Sequence, residues 1–356
     1  MKSFFLQEML EEEKTRWMRR VFQLARMGAS AVAPNPMVGC VLVHPEKGLI
    51  GEGWHNAFGT AHAEVNAISS VQDPKLIPGS TAILNLEPCA HFGKTPPCAE
   101  LLIEKKIGRV IISNPDPNPL VSGKGIALLE KAGIMVECGI LEEEGRDLNR
   151  FFFLAQEKKR PFICLKWAQS ADGFIAGEQG KQVWISSGQS RLLVHKMRAE
   201  HQAIMTGRNT LRMDNPLLNL RDWPGRQPVR VISDPQLSLS RELRIFQDRS
   251  APVWILNDIR DGDEEHLRYF CLKDADNLSS LLSFLWKEGM HSLLVEGGNF
   301  LISRLMEAGL WDEVVLFQSP NNLGSGIPAP ALPPEQHLKN QFFCDTDLVS
   351  RYSTFQ

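Results

Sequence analysis

His62-Ala63-Glu64, followed by Pro88-Cys89 and then Cys98, sets one imidazole, one carboxylate and two thiols in an order that suits a catalytic zinc. Imidazole nitrogen and thiolate sulfur are donors that zinc prefers, and His62, Cys89 and Cys98 supply three of them. Three protein ligands leave the fourth tetrahedral position to water, which marks a catalytic rather than a structural site. Zinc held in this way lowers the pKa of that water from about 16 to about 7. Glu64 stands two residues from the histidine. With His62 at a helix start, Glu64 reaches the same pocket and serves as the proton shuttle.

The surrounding elements must bring these groups together. His62 to Ile68 reads as the first turns of a helix, Ser80 to Glu87 as a strand ending at Pro88-Cys89, and Cys98 to Ile103 as the start of another helix. The candidate ligands thus lie where strand ends meet helix starts, and a thiolate at a helix start is favoured by the helix dipole. Trp17, Val21, Leu24 and Met27 repeat at helical spacing, with Gly28 as the expected cap. Val38 to Val43 reads as a buried strand, Gly51 and Gly53 as turn glycines, Arg109 to Ile112 as a strand, Ile126 to Ala132 as a helix and Ile134 to Val136 as a strand. Such alternation predicts an α/β sheet covered by helices on both faces. No Gly-x-Gly-x-x-Gly follows a strand, so the common dinucleotide-binding fingerprint is missing.

A chain of 356 residues is expected to form two domains, and 43% hydrophobic residues suffice for two cores. The net charge of −3 and the lack of a long basic run argue against a nucleic-acid partner. No stretch of about 18 apolar residues suggests a membrane span, and the charged start lacks an apolar signal core. Seven cysteines without a small-scaffold spacing fit a reducing cytoplasm; Cys40, Cys138, Cys164, Cys271 and Cys344 read as packing residues. Oligomeric state is left open, a homo-oligomer among the options.

Glu142 to Lys159 reads as a charged connector helix, with the boundary between domains 1–150 and 151–356. Alternation then resumes: a strand at Phe162 to Ala168, a helix from Gly188 to Glu200 capped by Ser187, strands at Ala203 to Gly207, Val229 to Ile232 and Val253 to Leu256, and a helix from Leu278 to Glu288. A strand from Ser292 runs into Gly297-Gly298, with Asn299 as cap of a helix from Phe300 to Ala308, and Asp312 to Phe317 is a further strand. Paired glycines before a helix start let backbone N–H groups approach a phosphate.

The His-x-Glu and Pro-Cys pairing is the signature of zinc deaminases, in which the glutamate is acid and base rather than ligand. The runs Asn35-Pro36-Met37-Val38-Gly39, Gly51-Glu52-Gly53-Trp54-His55, His62-Ala63-Glu64 and Glu87 to Cys98 resemble the deaminase half of the bifunctional riboflavin-biosynthesis deaminase/reductase family. Eight residues separate the two cysteines, the longer insert of that family. The resemblance implies a cytidine-deaminase-like three-layer α/β/α domain acting on a diaminopyrimidinone that bears a phosphoribosylamino group. It makes Asn35, His55, His91 and Lys94 candidates for holding base or phosphate.

In the second half, Leu165-Lys166, Ser170-Ala171-Asp172-Gly173, Trp184-Ile185-Ser186, Arg198-Ala199, Thr206-Gly207, Thr210, Asp214-Asn215-Pro216, Asn219-Leu220-Arg221 and Glu296-Gly297-Gly298 resemble the reductase half of the same family. A dihydrofolate-reductase-like α/β domain using NADPH is implied. Carried over by residue, Trp184, Thr206, Thr210, Asp214, Gly297 and Gly298 fall where the family contacts the cofactor. Arg198, Arg221 and Glu296 fall where it binds substrate, arginine for the 5-phosphate and glutamate for ribose hydroxyls. Lys166 is a candidate source of positive charge or a proton near the reacting carbon. The family's Asp-Asp-Pro stands here as Asp214-Asn215-Pro216, its Ser-Leu-Asp-Gly as Ser170-Ala171-Asp172-Gly173, and the tail after Ser319 is proline-rich and weakly matched. Two alternatives therefore stand beside the bifunctional enzyme: a deaminase whose second half is a non-catalytic binding or assembly module, and a deaminase acting on nucleic acid.

Overall fold

The computed structural model describes residues 9–90, 97–118, 121–178, 183–332 and 336–354, and shows two compact units, Met1–Lys158 and Lys159–Gln356. In the first, helix α1 (Glu11–Arg26) precedes strands β1 (Gly39–His44) and β2 (Gly48–Trp54), helix α2 (Ala63–Ser69), strand β3 (Thr81–Leu86), helix α3 (Cys98–Glu104), strand β4 (Arg109–Asn114), helix α4 (Lys124–Lys131), strand β5 (Met135–Cys138) and helices α5 (Glu142–Leu148) and α6 (Arg150–Lys158). Among the described residues the sheet order is β2-β1-β3-β4-β5, antiparallel at β2-β1-β3 and parallel at β3-β4-β5.

Every residue of β3 and β4 is buried, as expected of strands covered on both faces. Leu42, Leu84 and Ile112 pack on one face with Ala63 and Ala67 of α2, Leu102 of α3 and Leu129 of α4. Val41, Ile83 and Ile111 pack on the other with Met18, Val21 and Phe22 of α1 and Leu148 of α5. Each large apolar side chain sealed in this way contributes about 1.5–3 kcal/mol, and the three layers follow.

Three details depart from the sequence reading. Helix α1 ends at Arg26 with Met27, not Gly28, as its cap. Gly51 and Gly53 lie within β2 rather than in a turn: a Cβ on either would stand 2.6 or 2.3 Å from the backbone of Ala67, so their bareness lets α2 lie directly on the strand. The expected helix over 142–159 is two helices that break at Asn149, and both belong to the first unit.

The second unit contains β6 (Phe162–Gln169), β7 (Phe174–Ala176), α7 (Gly188–Glu200), β8 (Ala203–Met205), α8 (Arg208–Asp214), β9 (Val229–Ser233), α9 (Arg244–Gln247), β10 (Val253–Asn257), β11 (Gly262–Glu264), β12 (Leu267–Cys271), α10 (Leu278–Lys287), β13 (Ser292–Glu296), α11 (Asn299–Glu307), β14 (Glu313–Gln318), β15 (Ile327–Pro328), β16 (His337–Cys344) and β17 (Asp347–Ser353). The large sheet runs β11-β12-β10-β9-β8-β13-β6-β14-β17-β16. Neighbours from β12 through β14 are parallel, while β11, β17 and β16 are antiparallel edges. Ser187 caps α7 as expected, its Oγ accepting from Ser190 N at 3.2 Å. Asn299 is instead the first residue of α11, after Gly298, and its side chain donates to the Pro328 carbonyl. The weakly matched tail supplies β15, β16 and β17.

Chain direction locates a crevice. From β8 the chain proceeds to β9 on one side, whereas from β13, the neighbour of β8, it proceeds to β14 on the other. Ligands of open α/β sheets bind beyond the strand ends at such a reversal. Thr206, next after β8, and Glu296-Gly297-Gly298, at the end of β13, lie there. No helix among the described residues is long and apolar enough to cross a membrane.

Candidate active sites

His62 is the cap of α2, with extended backbone (φ −70°, ψ 164°), and Glu64 sits buried in the first turn. Cys89 follows the end of β3, and Cys98 opens α3. These three segments meet. His62 Nδ1 lies 3.7 Å from Cys89 Sγ and 3.3 Å from Cys98 Sγ, and the three ligand atoms fall within 4.8 Å of one another. Zinc bonds of about 2.1 Å to nitrogen and 2.3 Å to sulfur at a tetrahedral angle set N and S about 3.6 Å apart, so the donor set fits zinc in both chemistry and spacing.

The sulfurs are poised by their surroundings. Cys98 N donates to Cys89 Sγ at 3.3 Å. The Cys98 thiol, hydrogen-bonded to Cys89, lowers the Cys89 pKa to about 4, while that same bond, with burial, pushes Cys98 well up. One proton thus serves two sulfurs, and a bound metal would displace it. Burial is also the main cause that raises the Glu64 pKa, with the Cys89 charge adding to it, as suits a group that must hold a proton and release it.

His55 is buried edge-on to His62, with ring centroids 5.5 Å apart. Its Nδ1 faces the Ala61 carbonyl at 3.1 Å and so carries the proton. Its Nε2 then accepts from Asn35 Nδ2 at 3.3 Å. Burial lowers its pKa. Asn35 and His55 are therefore brought together beside the ligand cluster. His91 and Lys94 lie outside the described residues.

Sequence reasoning assigned no role to Glu87, although it directly precedes Pro88-Cys89. It is 4% exposed. Its Oε2 accepts from the backbone N–H groups of Asp116 (3.1 Å) and Gly123 (3.0 Å), and its Oε1 from Gly125 (2.9 Å) and Ile126 (3.3 Å). One carboxylate thereby ties the start of α4 and its approach to the strand end that presents Cys89. An acid abutting a ligand motif at the end of a buried strand was the available signal.

In the second unit, Lys166 of β6 is in register with Glu296 of β13. Arg198 of α7 grips Glu296 through Nε at 2.6 Å and Nη2 at 2.9 Å, and its Nη1 donates to the Asn219 carbonyl at 2.9 Å. Both side chains of the pair are 11% exposed. Removing one partner of such a buried pair costs about 3–5 kcal/mol. Lys166 is partly buried beside them, with its Nζ over the Phe317 ring; desolvation depresses its pKa, with Arg198 adding and Glu296 opposing. Thr206 donates to the Glu296 carbonyl at 2.6 Å.

Gly297 and Gly298 both adopt left-handed backbone, φ +70° and +77°, and a Cβ on Gly298 would stand 2.9 Å from Thr210 Oγ1. Thr206, Thr210 and the glycine turn thus converge, leaving bare backbone before α11, a place suited to a cofactor phosphate. Asp214 is one helical turn beyond Thr210 on the same face of α8, and burial raises its pKa. Arg221 is about half exposed, near Asn219 and Asp222. Trp184 enters none of these contacts; its ring is 72% exposed and lies under Arg191.

Residues 11–114 match the cytidine and deoxycytidylate deaminase zinc-binding region, and residues 161–349 match the RibD C-terminal domain. The riboflavin biosynthesis protein RibD of Aquifex aeolicus is 37% identical over 324 residues, 90% of either chain, and that of Escherichia coli K12 is 36% identical, covering 87% of this chain and 88% of its own. The chain belongs to the RibD family. It is a bifunctional deaminase/reductase of riboflavin biosynthesis, with a zinc-binding deaminase domain and an NADPH-dependent reductase domain. The solved structure of a diaminohydroxyphosphoribosylaminopyrimidine deaminase/5-amino-6-(5-phosphoribosylamino)uracil reductase from Thermotoga maritima is 36% identical with a TM-score of 0.88, covering 96% of this chain and 99% of that one. Acinetobacter baumannii RibD is 34% identical with a TM-score of 0.89, covering 98% of this chain and all of that one.

The departure from the RibD pattern at Asn215 lies where α8 ends. Asn215 ends α8 in left-handed backbone (φ 42°), a conformation that asparagine tolerates. Its Oδ1 accepts from Arg244 N at 2.7 Å, at the first residue of α9.

Replacing Glu87 by Gln turns one acceptor oxygen into a donor facing two N–H groups. Zinc affinity is expected to fall about 10–100-fold, measured as metal loss to a competing chelator, with NADPH oxidation by the other unit as the internal control. Unchanged metal retention would mean that Glu87 does not position Cys89.

Proposed function

We propose that the first unit removes an amino group from 2,5-diamino-6-(5-phosphoribosylamino)pyrimidin-4-one, and that the second reduces the ribosyl group of the product to a ribityl chain. The convergence of His62, Cys89 and Cys98 beside the buried Glu64 carries this reading. His62 Nδ1 and the two sulfurs would hold zinc, which supplies when bound the positive charge that acidifies water. Glu64 takes a proton from the attacking water, passes it to the ring nitrogen and delivers one to the departing ammonia. Asn35 and His55 orient the base, and Lys94 adds charge for the phosphate.

In the second unit, Thr206, Thr210, Asp214, Gly297 and Gly298 would hold NADPH, with Trp184 stacking at its edge; the cofactor when bound supplies the hydride. Lys166 provides the positive charge and proton for the ribose oxygen released as the ring opens. Glu296 accepts from ribose hydroxyls and Arg198 orients it. The half-exposed Arg221 is the guanidinium better placed for the 5-phosphate. The partners proposed are small phosphorylated pyrimidines without nucleic acid, in keeping with a net charge of −3. A reducing cytoplasm suits a site whose sulfurs must remain thiolates.

Product masses test the whole reading. Without NADPH the substrate mass should rise by about one unit as NH is exchanged for O, and with NADPH by about two more as hydride and proton add. Arrest after the first step would select a non-catalytic second unit. Glu64→Gln should keep its zinc and lose about 10²–10⁴-fold in deaminase kcat; loss of the metal instead would make Glu64 a ligand. Arg221→Ala should raise the reductase KM for the phosphorylated substrate about 10-fold or more, since a charge-assisted hydrogen bond is worth about 1.5–3 kcal/mol. An unaltered KM would remove Arg221 from the phosphate site.

A further inference from the structure

The loop that carries Asn35 continues into Met37, whose backbone is held at both of its polar atoms. Asn149 Oδ1 accepts from Met37 N at 2.8 Å, and Asn149 Nδ2 donates to the Met37 carbonyl at 2.9 Å. Asn85 of β3 donates to the same carbonyl at 2.8 Å and accepts from Gly39 N at 2.8 Å. Both asparagines are buried, 3% and 1% exposed. A backbone segment outside the sheet needs such partners once it is buried.

Asn149 differs from Asn85 in origin. It lies 112 residues along the chain, beyond the stretch that matches the deaminase zinc-binding region. It stands at the break between α5 and α6: its own N–H donates to the Gly145 carbonyl, and its own carbonyl accepts from Phe153 N. Two helices therefore aim one side chain. Leu148 beside it is packed among Met18, Val21, Val41 and Ile83, which anchors the break to the core. The chain of contacts runs from Asn149 to Met37, through Pro36 to Asn35, from Asn35 to His55, and from His55 to the ring of the metal-ligand candidate His62.

We infer that Asn149 is a positioning residue for the deaminase: its bidentate hold on Met37 sets where Asn35 stands over the metal cluster, and so how the pyrimidine fits. The inference rests on the reading that Asn35 and His55 face the pyrimidine. It makes the α5–α6 break part of the deaminase machinery rather than a connector.

The test uses the full-length chain. Asn149→Asp keeps the acceptor for Met37 N but sets a carboxylate oxygen against the Met37 carbonyl. Deaminase KM, read from ammonia release, should rise about 10-fold or more, with kcat much less altered, zinc stoichiometry intact and NADPH oxidation unchanged. As the pH falls toward the range of the new carboxyl group, its protonated form donates again, and KM should return toward the wild-type value at the same pH. A purely structural asparagine would lower the melting temperature without this KM-against-kcat split. Asn149→Ser is the milder variant should Asn149→Asp fail to fold, with an intermediate KM expected. An unchanged KM, or loss of zinc, in a folded Asn149 variant overturns the inference. Asn35→Ala is measured in parallel: an unchanged KM there overturns the pocket reading and the inference with it, whereas a raised KM in Asn35→Ala beside an unchanged one in Asn149→Ser overturns the inference alone.

Discussion

Two sulfurs and an imidazole nitrogen at van der Waals separation, closed around a buried carboxylate, are the constraint on which the first unit is built. Their hydrogen bonds alone do not keep such groups together: a thiolate beside a carboxylate repels it, and burial penalises both charges. The scaffold must supply the force. It does so with backbone rather than side chains: a helix laid directly on the bare glycines of β2, a strand sealed on both faces, and a helix whose first N–H points at a ligand sulfur. Glu87 completes the arrangement by taking four N–H donors onto one carboxylate.

The second unit solves a comparable problem with charge. Lys166, Arg198 and Glu296 cluster, largely shielded from solvent, at a point where neighbouring strands send their connections in opposite directions. Arg198 donates two hydrogen bonds to Glu296 and a third to the Asn219 carbonyl, a clamp that keeps the carboxylate oriented. Thr206 adds a bond to the Glu296 backbone, so the residue is fixed at both ends. The two units share a logic: key groups such as His62, Cys98, Thr206 and Glu296 lie at strand ends and helix starts, with neighbours such as Glu87 and Arg198 spent on orientation.

Much of this could be read in advance, and the pattern of what could not is instructive. The helix over 188–200 with its Ser187 cap and the strand that leads to Cys89 were legible because apolar periodicity and capping chemistry are local. The role of Gly51 and Gly53 was not, since a close approach by the next helix leaves the same mark in sequence as a turn. The break at Asn149 was read through as one charged helix, because the backbone that its side chain holds, at Met37, lies more than a hundred residues away. The edge strands of the tail were obscured by prolines and by weak resemblance.

From the sequence alone came the expected chemistry: which residues are candidates to hold zinc, which one is the candidate to move protons, and which family supplies the expectation of a second, NADPH-dependent unit. These are matters of side-chain type and spacing, which the order of residues carries directly. The tertiary structure alone decided the partners of the charges, turning Arg198 onto Glu296, Glu87 onto four backbone amides and Asn149 onto Met37. The reason is that a buried polar group must find its complement wherever the folded chain brings one, and that neighbour is chosen in space, not by distance along the chain.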